Sequence, residues 1–174
     1  EFNPYNEAIK NKVLLRKVPI FMSLNEDDLN LLSESCKRVH FNNNEMIIKQ
    51  KDPGDSLYII ADGVVSVQLD VENGERKIVS KLGVGEFFGE MSLMTGEPRT
   101  ANIIAESPTV TISVEKEIIK KLFSNNTHFF DTVSDILAKR KIHLDNLKVS
   151  DAEDTKKVKN IAIEMKKAII HFLS

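Results

Sequence analysis

The sequence predicts an α+β fold, with an antiparallel β-sandwich or barrel in the middle and helices on both flanks. Three observations predict it. All seven glycines lie between Gly54 and Gly96, so turns with unusual backbone angles concentrate in the middle of the chain. Apolar residues alternate with polar ones there, and recur at three-four spacing on either side. The middle segments are short and joined by turn signals, which argues against a parallel α/β sheet.

In order, "EAIKNKVLLRKVPIF" reads as one helix ending near Pro19. A second helix starts at "SLNEDD", where Ser23 with Glu26, or Asn25 with Asp28, has the spacing of an N-cap and its reciprocal acid. Leu29, Leu32, Cys36 and Val39 continue at helical spacing. "MIIKQ" is a short strand, and "KDPGDS" a turn in which Pro53 sets φ and Gly54 permits φ > 0. "LYIIADG" and "VVSVQLDV" are strands. Asn73-Gly74 predicts a two-residue type I′ hairpin returning through "RKIVSKL". "TANIIAES" and "TVTISV" add two strands around Pro108. Three apolar helical stripes follow: Ile118 to Phe123, Phe130 to Leu147, and Val158 to Phe172.

At 174 residues the chain fits one domain with helical appendages. No apolar run approaches the ~18–20 residues needed to span a bilayer, so direct membrane insertion is not expected. No signal peptide opens the chain, and its first residue is Glu, as in a processed form or an excised piece. A single cysteine, Cys36, excludes an intramolecular disulfide and suits a reducing, cytoplasmic setting. The formal charge of −2 argues against DNA as a partner. The four histidines are scattered without metal-ligand spacing, and no nucleophile elbow is present, so neither a metal site nor an enzyme is expected.

The densest chemistry is in "GVGEFFGEMSLMTGEPRTA", Gly83 to Ala101. The glycines are spaced neither as a dinucleotide fingerprint nor as a P-loop, and Gly83 and Gly85 are accounted for by a turn between strands. Gly89 permits a sharp bend, after which "EMSLM" can form one helical turn whose first N–H groups are unpaired and favour an anion. Arg99 can meet a phosphate with two parallel donors. Glu90 beside them fits a ligand that carries hydroxyls as well as phosphate, such as a sugar phosphate or nucleotide. The same residues could form a Glu90–Arg99 ion pair on a decorated loop, and spacing alone leaves both readings open.

Phe88-Gly89-Glu90-Met91-Ser92-Leu93, then Pro98-Arg99-Thr100-Ala101, resembles the phosphate-binding cassette of the cyclic nucleotide-binding domain family. "KDPGDSLYIIADGVVSV" resembles the family's strand pair, and "VPIFMSLNEDDLNLLSES" its lead-in helix, so the likeness runs from about Val18 to Leu147. The resemblance implies a jelly-roll-like antiparallel β-roll flanked by N-terminal helices, a C-terminal lid helix and an extra helix. The corresponding segments are a helical lead-in over 1–40, the β-roll over 41–116 with its cassette at 83–101, hinge and lid over 117–149, and an amphipathic helix over 150–174.

It further implies that Glu90 accepts from a ribose hydroxyl, that Arg99 pairs with the cyclic phosphate, and that Gly89, Met91 and Ser92 offer backbone proximity or N–H donors. Thr100 would bond phosphate or base. Val67, Val79 and Phe88 would line the base, under a lid carrying Ile136, Lys139, Arg140 and His143. Thr100 accompanies guanine recognition in some relatives and cAMP preference in others, so the ligand is cAMP or cGMP, with no cofactor. The implied role is a sensor regulating an effector domain or partner protein, with homo-oligomers left open. The alternative is a ligand-free pseudo-sensor, an interaction domain. Kinase motifs are absent from the sequence, and the last 25 residues hold about one helix, too few for a helix-turn-helix.

Overall fold

The computed structural model describes residues 3–71 and 74–146, together with 163–164, 167–168 and 170–171. Helix α1 (Pro4–Leu15), a 3-10 turn (Pro19–Phe21) and α2 (Glu26–Ser35) precede the strands. Asn25 caps α2 by accepting from the Asp28 N–H at 2.8 Å, so the second of the two expected caps is the one used.

The strands are β1 (Lys37–Phe41), β2 (Met46–Ile48), β3 (Ser56–Asp62), β4 (Val65–Asp70), β5 (Arg76–Leu82), β6 (Phe87–Phe88), β7 (Asn102–Ala105) and β8 (Thr109–Glu115). Between β6 and β7 lies α3 (Glu90–Thr95), and α4 (Lys116–Asn125) and α5 (Thr127–Asn146) follow β8. Two four-stranded antiparallel sheets form, in the orders β1-β8-β3-β6 and β2-β7-β4-β5. This is the antiparallel β-roll with flanking helices that the resemblance implies.

Three local expectations are corrected. Cys36 and Val39 do not extend α2. The helix ends at Ser35, Cys36 is extended, and Val39 pairs with Thr111 in β1. Apolar spacing alone cannot separate the end of a helix from a half-buried strand, and pairing with β8 decides it. The sheet therefore begins at Lys37, inside the segment assigned to the lead-in. The hairpin after β4 is longer than a two-residue turn. Val71 N–H donates to Glu75 O, Gly74 N–H donates to Val71 O, and Gly74 sits at φ +82, the left-handed position of a three-residue loop. Asn73 itself lies outside the described residues. In "KDPGDS" the positive φ belongs to Lys51, at +73, and not to Gly54.

The main core joins the first sheet to the helices. Phe21 of the 3-10 turn stacks on Phe129 of α5 at 6.1 Å, and Phe129 meets Phe123 of α4 at 5.0 Å. Leu15, Phe21, Val133 and Leu137 are all within 1% of full burial in this one cluster, so α5 is seated on the N-terminal helices as well as on the roll. Full burial of each such side chain contributes about 1.5–3 kcal/mol. A smaller core holds Ile48, Ile60, Val65, Phe88 and Ile103, of which Ile48, Phe88 and Ile103 line the cleft described below. Of the apolar stripe expected over Val158–Phe172, the stripe residues themselves lie outside the described residues, and Leu147 does too. No helix among the described residues is long and apolar enough to cross a membrane.

Candidate ligand-binding site

The cleft is built around a sharp bend. Phe87 and Phe88 are held in β6 by pairing with Ile59 and Tyr58. Gly89 then takes φ +84 and becomes the N-cap of α3. An L side chain would be strained at that φ, and a Cβ would stand 2.7 Å from Arg99 Nη1 and 2.8 Å from Ser56 O. Helix α3 stops after one and a half turns at Gly96, φ +74. Thr95 Oγ1 donates to Met91 O at 2.7 Å and accepts from Glu97 N at 3.2 Å, closing that end. Glu90, Met91 and Ser92 form the first turn, where N–H groups have no intrahelical acceptor.

Arg99 is 7% exposed and clipped by its own backbone. Its N–H donates to Asp52 O and its carbonyl accepts from Lys51 N–H, both at 2.8 Å. Nη1 donates to Ser56 O at 3.1 Å and to Gly89 O at 2.8 Å. Among the described residues, Nε and Nη2 take no protein acceptor, which leaves the bidentate edge of the guanidinium open. Burial pulls the Arg99 pKa below its ordinary value, while Tyr58, Asp55 and Glu90 oppose that shift. An arginine remains protonated regardless.

Glu90 is 5% exposed, and its partner is Arg140 of α5, not Arg99. Arg140 Nη1 donates to Glu90 Oε1 and to Phe87 O, each at 2.8 Å, and the guanidinium lies 3.8 Å over the Phe87 ring. The loop ion pair that spacing left open, Glu90 with Arg99, is therefore not formed.

These groups share one cleft of about 270 Å³. Every residue expected to touch ligand lines it: Gly89, Glu90, Met91, Ser92, Arg99, Thr100, Val67, Val79, Phe88 and Arg140. Thr100 is exposed at the rim, and Phe88 is buried against Tyr58, with the rings stacked at 5.2 Å. Ser92 is 1% exposed and its Oγ has no hydrogen-bond partner. Of the lid residues, Arg140 and His143 reach the cleft. Ile136 packs against the main core instead, and Lys139 is exposed.

Sequence reading missed Ile48, Ser80, Leu82, Glu86 and Ile103 as lining residues. On β5, Ser80 pairs with Val67 and Leu82 with Val65, and the register shift between Val67 and Gln68 leaves Val79 as the extra residue next to Ser80. Strict alternation admits only one of Val79 and Ser80 to the cleft, and the bulge lets both line it. Ile48 and Ile103 face each other across a β2–β7 pair that has no signature in the local sequence.

The cleft thus joins an apolar floor, an open arginine edge, first-turn amides and a carboxylate already paired. A family profile described as the cyclic nucleotide-binding domain matches residues 38–126, just over half of the chain. A Drosophila melanogaster cGMP-dependent protein kinase (isozyme 2, forms cD5/T2) is 37% identical over 114 residues, covering 64% of this chain and 12% of the kinase. The cAMP-dependent protein kinase type II regulatory subunit of the same organism is 37% identical over 100 residues, covering 58% of this chain and 26% of the subunit. The chain therefore spans a minor part of the length of these relatives. In fold it is similar to the regulatory domain of Toxoplasma gondii PKA solved with cAMP, at a TM-score of 0.69 and 21% identity, over 96% of this chain and 58% of that one. The chain belongs to the cyclic nucleotide-binding domain family.

Proposed function

We propose that the cleft binds cAMP or cGMP and that the chain is a regulatory sensor, passing occupancy through α5 and the flanking helices to an effector domain or partner protein. The observation that carries this is the buried Arg99, held by Nη1 with its Nε and Nη2 edge open, beside the buried Glu90. A cyclic phosphate offers the two acceptor oxygens that edge requires. The N–H groups of Met91 and Ser92 add donors to the same anion, and Gly89 lets it approach the backbone. A ribose hydroxyl donates to Glu90. Val67, Val79 and Phe88 hold the base, and Thr100 at the rim bonds base or phosphate. Arg140 ties the lid to this floor. On this reading 41–116 acts as the binding roll, 83–101 as its cassette and 117–149 as hinge and lid.

Ligand shifts α5 by no more than its difference in affinity for the docked and undocked states. Isothermal titration with cAMP, cGMP and guanosine tests the reading. Micromolar or tighter binding of at least one cyclic nucleotide is expected, weakened tenfold or more by Arg99→Ala, with guanosine binding far more weakly because it has no phosphate. Failure of both cyclic nucleotides to bind would replace the sensor with a pseudo-sensor acting as an interaction domain.

A further inference from the structure

The geometry points to Gly54 as a positioning residue for the ligand's anion, an inference that rests on the function proposed above. Gly54 lies in the turn between β2 and β3, and its φ is outside the left-handed region, so its backbone does not require glycine. Space does. A Cβ on Gly54 would stand 2.0 Å from Arg99 Nε, 2.1 Å from Cζ and 2.6 Å from Nη2. Nε and Nη2 are the donors that have no protein acceptor, and these distances set the Cβ over the face of the guanidinium beside them. Nη1, at the other corner, is fixed by Ser56 O and Gly89 O.

Gly54 therefore packs against the face of the Arg99 guanidinium, next to Nε and Nη2. The turn itself is held by other bonds: Asp52 N–H to Lys49 O, Lys51 N–H to Arg99 O, and Lys116 N–H to Asp55 O. The atoms that must yield to a methyl group are the far end of a flexible side chain. The turn stays, and the guanidinium edge swings out of line with the first-turn amides of α3. An alanine at this position also restricts the unfolded chain, which favours the folded state. Substitution thus separates two properties that usually fail together: the domain keeps or gains stability while it loses its anion.

The test is Gly54→Ala in the whole chain, alone and combined with Arg99→Ala, titrated with cAMP and cGMP. The ligand-free thermal midpoint is expected to be unchanged or higher, and affinity to fall at least tenfold. In the Arg99→Ala background, adding Gly54→Ala should change affinity less than twofold, because the group it displaces is gone. An undiminished further loss in that background, an unchanged affinity for Gly54→Ala alone, or a midpoint that falls by several degrees would each overturn the inference. A ligand-free readout separates it from the function on which it rests. The Arg99 Nε–H resonance should move on Gly54→Ala with no nucleotide present, and an unmoved resonance overturns the inference. If the resonance moves but the native protein binds neither nucleotide, the proposed function fails while Gly54 still holds Arg99 in place.

Discussion

Replacing Arg140 with alanine would remove the cation against which the Glu90 carboxylate is buried. The Glu90 side chain is 6% exposed and that of Arg140 30%, so the pair is dry on one side and partly solvated on the other. Truncating one member of a fully buried pair costs about 3–5 kcal/mol, and an exposed pair contributes about 0.2–1 kcal/mol. This geometry lies between the two, at about 2 kcal/mol. Loss of the guanidinium from the Phe87 ring, 3.8 Å away, adds about 0.5–1 kcal/mol. The expected destabilisation of about 2–3 kcal/mol corresponds to a fall of roughly 5–10 °C in the midpoint for a chain of this size. Denaturant titration measures it, and a double-mutant cycle with Glu90→Gln isolates the pair. The amide carries no charge, so Arg140→Ala with Glu90→Gln should recover at least about 1 kcal/mol over the sum of the single losses. A loss below about 0.5 kcal/mol for Arg140→Ala, or a cycle that sums to zero, would mean that the carboxylate is satisfied without α5.

Lys51→Gly should stabilise the domain by about 0.5–1 kcal/mol, since a lysine at φ +73 carries left-handed strain that exceeds the entropy cost of a glycine, and thermal unfolding reads the gain. Burial pushes the Cys36 thiol up to about 11 from 9.0, so the folded state holds that proton more tightly than the unfolded one. Stability contributed by this group is present below pH 9 and is lost as pH rises to about 11. The slope of unfolding free energy across that window should flatten in Cys36→Ala, and an unchanged slope would refute the assignment. The cleft lines Glu86 and Glu90 against Arg99 and Arg140, a balance that suits a singly charged phosphodiester. 5′-AMP, a dianionic monoester near neutral pH, should bind at least tenfold more weakly than the preferred cyclic nucleotide in a competition titration.

The sequence held the site more fully than the fold around it. The residues expected to touch ligand sit within one nineteen-residue stretch plus two strands and a lid, and a glycine bend, a short helix and an arginine after proline can each be read locally. What lay beyond reach depended on distant chain. Val39 joins a strand only because Thr111 lies beside it, and Val79 and Ser80 line the cleft together only because of a bulge in the β4–β5 ladder. Gly54 looked like a turn glycine chosen for its φ. It is the approach of Arg99, far along the chain, that leaves no room for a Cβ there.

Glu90 is the residue whose meaning changes most. Beside an anion site, an unpaired carboxylate would repel the ligand, and spacing offered Arg99 as the cation to cancel it. Arg99 is instead left with an open edge, because Arg140 cancels Glu90 from α5. The net charge at the anion position thus depends on where α5 lies. With α5 docked, Glu90 is neutralised and Arg99 attracts a phosphate. Were α5 to leave, the negative charge of Glu90 would return within the same small cleft and the attraction would weaken. Docking of α5 and binding of an anion would then favour each other by equal free energies, as linkage requires. Since α5 is also seated on Phe21 of the 3-10 turn, the helix that supplies the partner of Glu90 is also the one that contacts the N-terminal segment.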